Sequence, residues 1–327
     1  MCYDRIVAPD GSGTDRSVQA AVDALEDRAD RERILLIRRG IYRERVVINK
    51  PRVRLIGEDP ESCEIVWNGC AKDPDAQGRE KGTFLSFSVL TAAPDITLEN
   101  LTIRNDAGDG RLVGQAVALY AAGDRNIVRN CRLLAHQDTL FCGPLMPRVE
   151  DEIAPRRAKA ECVPSVSDCP ETESRLYFER CLIQGDVDFI FGSYRSFFEE
   201  CELRMNERGG WYTAANTAEG QPWGLVFRHC HLTGECGSRM AYLGRPWRAF
   251  ARTVFLDCEM DACVSPVGFI DWDEFRVVTD RLGEGGTRGE GAAPSARHPK
   301  SRLWTPGEAA AVTPELVLNG WNPLQEK

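Results

Sequence analysis

Five cysteines in this chain recur inside one short pattern, and that recurrence limits the fold more than any other feature. The copies are Ile127-Val-Arg-Asn-Cys131-Arg-Leu133, Tyr177-Phe-Glu-Arg-Cys181-Leu-Ile183, Phe197-Phe-Glu-Glu-Cys201-Glu-Leu203, Val226-Phe-Arg-His-Cys230-His-Leu232 and Val254-Phe-Leu-Asp-Cys258-Glu-Met260. An earlier copy, Thr97-Leu-Glu-Asn-Leu101-Thr-Ile103, carries Leu at the Cys position. The cysteine and the apolar residue two places on alternate as a strand does, with both side chains inward. The apolar residue three places before the cysteine breaks that period, which leaves one extra residue between two short strands. Asn100, Asn130 and Asp257 stand there, and Asn and Asp tolerate the left-handed conformation a bend requires. Successive copies are 30, 50, 20, 29 and 28 residues apart, about one solenoid coil each, with one large insertion. Coils stacked in this way form parallel sheets around a continuous core. The expected fold is therefore all-β: a right-handed parallel β-helix, a single-stranded solenoid. Cysteine is small and readily buried, which suits an interior ladder. The competing fold is an ordinary β-sandwich with coincidental Cys spacing.

Length alone suggests about two domains, but the repeat points to one domain over residues 1–327. Short helices are expected to cap it. Val18, Ala21, Val22 and Leu25 have helix-face spacing, with Thr14 or Asp15 as N-cap, and Thr313-Pro314-Glu315 begins a second helix. Residues 144–173 hold few strand signals and read as a long surface insertion that accounts for the 50-residue gap. Residues 283–300, rich in Gly, Pro, Arg and Glu, read as a flexible loop. Fifty acidic against 41 basic residues give a charge of −9, which argues against a nucleic-acid or membrane-surface partner. The start, Met1-Cys2-Tyr3-Asp4-Arg5, lacks the basic and apolar regions of a signal peptide, so the thirteen cysteines are expected to be reduced, in the cytoplasm.

Four segments interrupt apolar strands with polar residues: Gly114-Gln115-Ala-Val-Ala-Leu119, His136-Gln137-Asp138-Thr-Leu140, Gly185-Asp186-Val-Asp188-Phe-Ile-Phe-Gly192 and Tyr242-Leu-Gly-Arg245-Pro-Trp247. On a solenoid these fall on successive rungs about 4.8 Å apart, so carboxylates, amides, an arginine and an indole converge on one outer face. A carboxylate pair near Arg can split its proton affinities into one base or nucleophile and one acid, and Gln amides can donate to a developing oxyanion. Strict alternation puts Asp186 and Asp188 on the same face, so spacing does not choose between them.

These segments resemble the signatures of the pectin methylesterases (pectinesterases), carbohydrate esterases that demethylate homogalacturonan. Ala8-Pro-Asp-Gly-Ser-Gly13 with Val18-Gln-Ala-Ala-Val22, and Gly40-Ile-Tyr42-Arg-Glu44, match the family's opening motifs. Gln115-Ala-Val-Ala-Leu119, Gln137-Asp-Thr-Leu140, Asp188-Phe-Ile-Phe-Gly192, Leu243-Gly-Arg-Pro-Trp247 and Trp321-Asn-Pro323 follow in order. The resemblance implies a β-helix fold and a substrate of methylated homogalacturonan or its oligogalacturonides. It implies Asp188 as nucleophile, Asp138 as general acid and then base, Gln137 and Gln115 as oxyanion donors, and Arg245 as the partner that keeps Asp188 ionised. Trp247, Phe141, Phe191 and Thr83 would contact substrate, as would Phe269, which stands where many relatives carry Trp. No metal and no cofactor is implied. The insertion is longer than in plant-like members and is expected to reshape one wall of the substrate groove, and the missing leader suggests a bacterial, non-secreted enzyme acting on imported oligomers. The acidic chain should release its anionic product readily, which predicts little processivity.

Other readings fit less well. There is no Gly-x-Ser-x-Gly elbow, and Gly11-Ser-Gly13 lacks the third glycine of a dinucleotide loop. His229-Cys230-His231 suggests a metal site, but Glu-Cys-Glu fills the same slots in another copy. A pectate lyase or polygalacturonase shares the solenoid plan, and a non-catalytic binding solenoid need not keep Gln115, Gln137, Asp138, Asp188 and Arg245 together. The sequence sets no oligomeric state.

Overall fold

The computed structural model describes residues 2–27, 30–144 and 174–325. Among them the chain winds as a right-handed parallel β-helix whose strands form three parallel sheets of eleven, eight and seven strands. A typical coil visits the sheets in turn: Ile96–Glu99 in the eleven-stranded sheet, Thr102–Asn105 in the eight-stranded sheet, Leu119–Ala121 in the seven-stranded sheet. The expected insertion at 144–173 lies, beyond Pro144, outside the described residues.

The repeat marks the corner between the first two of these sheets. Asn100, Asn130, Arg180, Glu200, His229 and Asp257 all take φ between 47° and 55°, one in each copy. The Asn130 amide donates to the Asn100 side-chain oxygen at 2.7 Å, so the first two bends are tied together. Arg180 and Glu200 are not residue types that favour that conformation, and the stacked register imposes it on them.

Inside, Cys131, Cys181, Cys201, Cys230 and Cys258 are all buried free thiols. The position three before each forms a second ladder. Phe178, Phe198, Phe227 and Phe255 stack with centroids 4.5, 4.4 and 4.7 Å apart and planes within 17°. That spacing is the rung spacing itself, so each ring packs face to face with only a small offset.

The helix Val18–Asp23 buries Val18, Ala21 and Val22 in the core at the first coil. Its N-cap is Ser17 rather than Thr14 or Asp15. Asp15 is held instead by Arg5, through bonds of 2.6 and 2.7 Å. The Glu44 carboxylate accepts from the amides of Val18 and Gln19 and so completes the cap.

Two expectations need correction. The C-terminal helix Pro314–Val317 has the expected N-cap Thr313, but it covers a side of the solenoid rather than an end. Ala309, Val312, Val317, Leu318 and Trp321 pack on the outward row Ile127, Tyr177, Phe197, Val226 and Val254 of the eleven-stranded sheet. Residues 283–300 are not a flexible loop. Leu282–Gly285 is a strand, Gly283 and Glu284 pair with Arg302 and Leu303, and Glu284 forms a buried ion pair with Arg297 at 2.7 Å. Arg297 also donates to the carbonyls of Ser265, Pro266 and Gly291. Composition counted Glu284 and Arg297 as surface charges, whereas they neutralise each other inside and satisfy the turns around them.

Candidate active site

The outer face of the seven-stranded sheet carries one continuous row. Strand pairing aligns Val47, Leu90, Tyr120, Phe141, Phe191, Ala214 and Arg245 on successive rungs. Tyr120, Phe141 and Phe191 contact one another at 4.7 and 4.8 Å between centroids, and half-buried Phe84 joins Phe141 at 5.0 Å. This row builds an aromatic floor, and the polar segments stand at its edge.

Asp138 and Asp188 are in register, each two residues before a paired strand residue, Leu140 and Ile190. Both take positive φ, 65° and 51°, a conformation that costs energy for a non-glycine residue and that clusters at functional sites. The left-handed turn breaks period two. Asp186 and Asp188 therefore do not share a face, contrary to strict alternation. Asp188 meets Arg245, with Nε donating to Oδ1 at 2.9 Å and Nη2 to Oδ2 at 2.7 Å. Asp186 meets His136, its Oδ2 lying 3.2 Å from the ring Nδ1.

Arg245 is clamped on both faces. Its guanidinium carbon lies 3.8 Å from the Trp211 ring centre and 3.9 Å from that of Trp272. Stacking and the bidentate bond together fix the planar fork, a combination open to Arg and not to Lys. Trp211 is positioned by register opposite Tyr242, whose ring stacks on it at 6.0 Å.

The two carboxyls differ in proton affinity. Burial drives Asp138 well above the usual carboxylate range, and the charge of Asp188 adds to this. Burial also raises Asp188, but the hydrogen bonds and charge of Arg245 pull it back. Asp188 is thus not held below its ordinary value, as the Arg pairing alone implied. It is the more acidic of the pair, and Asp138 is the one that keeps a proton. The Gln137 side chain hydrogen-bonds Asp138. A Cβ at Gly110 would lie 2.7 Å from Gln137 Cβ and Oε1, so only glycine allows the helix Gly110–Val113 to press on this amide. Gln115 is half-buried on the adjacent coil, where the amide of Ala116 donates to the Gln137 carbonyl at 3.1 Å.

The structure brings Gln115, Gln137, Asp138, Asp188 and Arg245 to one region and sets Trp247, half-buried, against Phe191 at 5.9 Å. Thr83 is half-buried at the start of the short 3-10 turn Thr83–Leu85. Phe141 is fully covered and Phe191 is 3% exposed, so both support the floor rather than meet solvent. Phe269 is not at the face at all. It is 1% exposed in the main core, 6.2 Å from Phe255, because Gly244 pairs with it as the strand folds inward. Trp211, Trp272, Phe84 and the pairing of His136 with Asp186 were not foreseen, although His136 and Asp186 both lie in the polar segments singled out from the sequence. His229 and His231 bond Glu199 and Asp261, with Cys230 buried between them, so the three do not converge. Among the described residues no group of three potential metal ligands occurs.

A carboxylate gripped by arginine, beside a buried carboxyl of raised proton affinity and two amides on a parallel β-helix, is an arrangement suited to ester hydrolysis. A family model, Pectinesterase, matches residues 4–144 and 171–314. The chain belongs to that family of carboxylic ester hydrolases. It is 31% identical over 315 residues to Pectinesterase QRT1 of Arabidopsis thaliana, covering 93% of this chain and 74% of that protein. Pectin methylesterase from carrot superposes with a TM-score of 0.80 at 25% identity, covering 100% of this chain and 97% of that one. A pectin methylesterase crystallised in complex with a hexasaccharide gives 0.78 at 26% identity, covering 99% of each chain. The two segments matched by the family model leave residues 145–170 between them, within the span read as an insertion.

Proposed function

We propose that this chain hydrolyses C6 methyl esters of homogalacturonan or its oligomers with Asp188 as nucleophile. The Asp188 carboxylate attacks the ester carbonyl, and the amides of Gln115 and Gln137 stabilise the oxyanion. Asp138 gives its proton to the departing methoxide, releasing methanol and leaving an acyl-enzyme anhydride. Asp138, now a carboxylate, takes a proton from water as the water attacks. The galacturonate acid leaves, Asp188 is regenerated and Asp138 is reprotonated. Arg245 orients Asp188 throughout, and Trp247 offers a face for a sugar ring.

The observation that carries this reading is the bidentate Arg245–Asp188 pair beside an Asp138 whose proton burial holds more tightly. The related enzyme solved with a hexasaccharide supports an extended oligosaccharide substrate. The test is methanol release from methylated oligogalacturonides with chain length unchanged. Unsaturated, ultraviolet-absorbing products would indicate a lyase instead.

The finer reading is a bacterial, non-secreted enzyme of the cytoplasm that acts on imported oligomers. It is supported by the free thiols, which include all five ladder cysteines. Recovery of the native protein from a periplasmic or culture fraction would refute it. The net charge of −9 supports low processivity, because each turnover creates an anion. Long contiguous demethylated blocks in the product would contradict that.

A further inference from the structure

The catalytic turns have a second side. On it lies a cleft of about 670 Å³ lined by Arg111, His136, Gln184, Asp186, Asn206 and Arg208, among others. His136 and Asp186 occupy equivalent places on adjacent coils, each two residues ahead of a catalytic aspartate. The backbone ties the same coils together: the Asp186 amide donates to the His136 carbonyl at 2.9 Å, and the Asp138 amide to the Val187 carbonyl at 3.0 Å. The left-handed conformations of Asp138 and Asp188 throw those carboxyls to one side of this backbone ladder. His136 and Asp186 fall on the other.

Asp186 is 1% exposed. One oxygen accepts from the Val187 amide at 2.7 Å, and the other faces His136. Asn206 sits beside the ring, its amide 3.5 Å from Nδ1, and is itself held by Gln184 at 2.8 Å. The imidazole is 41% exposed and open to solvent, whereas Asp186 is sealed. The groups facing His136 are Asp186, Asp109 and Arg208; those facing Asp138 are Asp188, Arg245 and Asp186. Arg111, whose own partner is Asp109, also feels Asp186. Asp186 is thus the one carboxylate shared by both sets. Its hydrogen bond favours the charged form of His136, and its charge opposes ionisation of Asp138.

We propose that His136 and Asp186 are a positioning pair for the catalytic turns, and that protonation of His136 couples solvent pH to Asp138 through Asp186. Neither residue reaches the substrate side. While His136 is charged, the pair is neutral overall and Asp138 sees a dipole. Once His136 loses its proton, Asp186 stands as a bare buried charge and holds the proton of Asp138 more tightly. The proton affinity of Asp138 thus depends on the charge at residue 136: lower while His136 is charged, higher where residue 136 is neutral.

The proposal rests on Asp138 being the general acid, and its test separates the two ideas. Wild type, Asp186→Asn and His136→Gln are compared in two measurements: the pH profile of kcat/KM for methanol release, and the titration of the Asp138 carboxyl followed by carbon NMR. Asn keeps the acceptor for the Val187 amide, and thermal melting checks that each variant is folded. Asp186→Asn should move the alkaline limb and the Asp138 titration down by about half to one pH unit, and His136→Gln should move both up. KM should stay within about twofold in both variants. Opposite shifts support the pair. Shifts in the same direction, or a pH-independent loss of kcat with an unmoved Asp138 titration, overturn it. If Asp186→Asn does not fold, the upward shift in His136→Gln decides alone. An absence of methanol release from wild type refutes the esterase reading, and the NMR titration then still decides the coupling.

Discussion

Arg245 grips Asp188 through two parallel hydrogen bonds while Trp211 and Trp272 close on the two faces of its guanidinium, so the Asp188 carboxylate is oriented by a group that cannot itself turn. The order of the carboxyls follows from this. Asp188 receives both hydrogen bonds of the cation, whereas Asp138 feels only its charge against a larger effect of burial, so Asp138 holds its proton the more tightly. Arg245→Lys keeps the charge but loses the fork and both stacks. We expect kcat to fall by roughly two orders of magnitude with KM little changed, measured as methanol release. A loss below fivefold would show that charge alone suffices.

Asp188→Asn should abolish methanol release, whereas Asp186→Asn should keep substantial activity near its own optimum. Equal loss in two folded variants would refute the assignment of Asp188 as nucleophile.

Asp138→Asn should abolish turnover yet stabilise the fold. Burial raises the Asp138 carboxyl in the folded chain, so the unfolded chain ionises first as pH rises. The contribution of this group is therefore whole below pH ~4 and is lost progressively as pH climbs toward the folded value. The Asn variant has no such loss. Its advantage in melting temperature should widen between pH 4 and 7, and a constant gap would contradict the linkage.

Glu284→Gln leaves Arg297 buried without its counter-charge. The expected cost is on the order of 3–5 kcal/mol, read by denaturant unfolding, because both side chains are only 2% exposed. A cost under 1 kcal/mol would mean that the carbonyls around Arg297 suffice to hold it.

Arg180→Asn should stabilise the protein by about 0.5–1 kcal/mol. Position 180 has φ 51°, where Asn is tolerated better than Arg, and its ion pairs with Glu179 and Glu200 are exposed and worth little. Denaturant melts of the two proteins measure the difference.

The coil pattern was legible because it is periodic. Cys at one position and an apolar residue two places on can only be an inward pair, and the odd residue between strands had to be a bend. That bend was visible as Asn100, Asn130 and Asp257, but not as Arg180 or Glu200, whose conformation is imposed by stacking against better-suited neighbours. The same effect hid the role of Asp186. A left-handed residue at 188 reverses the direction of its side chain, and no residue type announces this when the residue is an aspartate. Phe269 was misplaced for a related reason: a motif gives the order of residues, not the depth at which a strand carries them. Trp211 was invisible because its contact with Arg245 joins residues 34 apart through register alone.

The functional groups are drawn from consecutive coils: Gln115, then Gln137 with Asp138, then Asp188, then Trp211, then Arg245 with Trp247. In a solenoid built of near-identical turns, any turn would seem replaceable, and duplication or loss of a coil is the usual route by which such arrays change length. Here that freedom ends between residues 115 and 247. Excising one turn within that span would leave a well-packed core and a continuous helix, yet it would bring the wrong neighbours together at every position of the groove. Growth and shrinkage are confined to the two ends and to the loops, so the site acts as a fixed ruler inside an otherwise extensible scaffold.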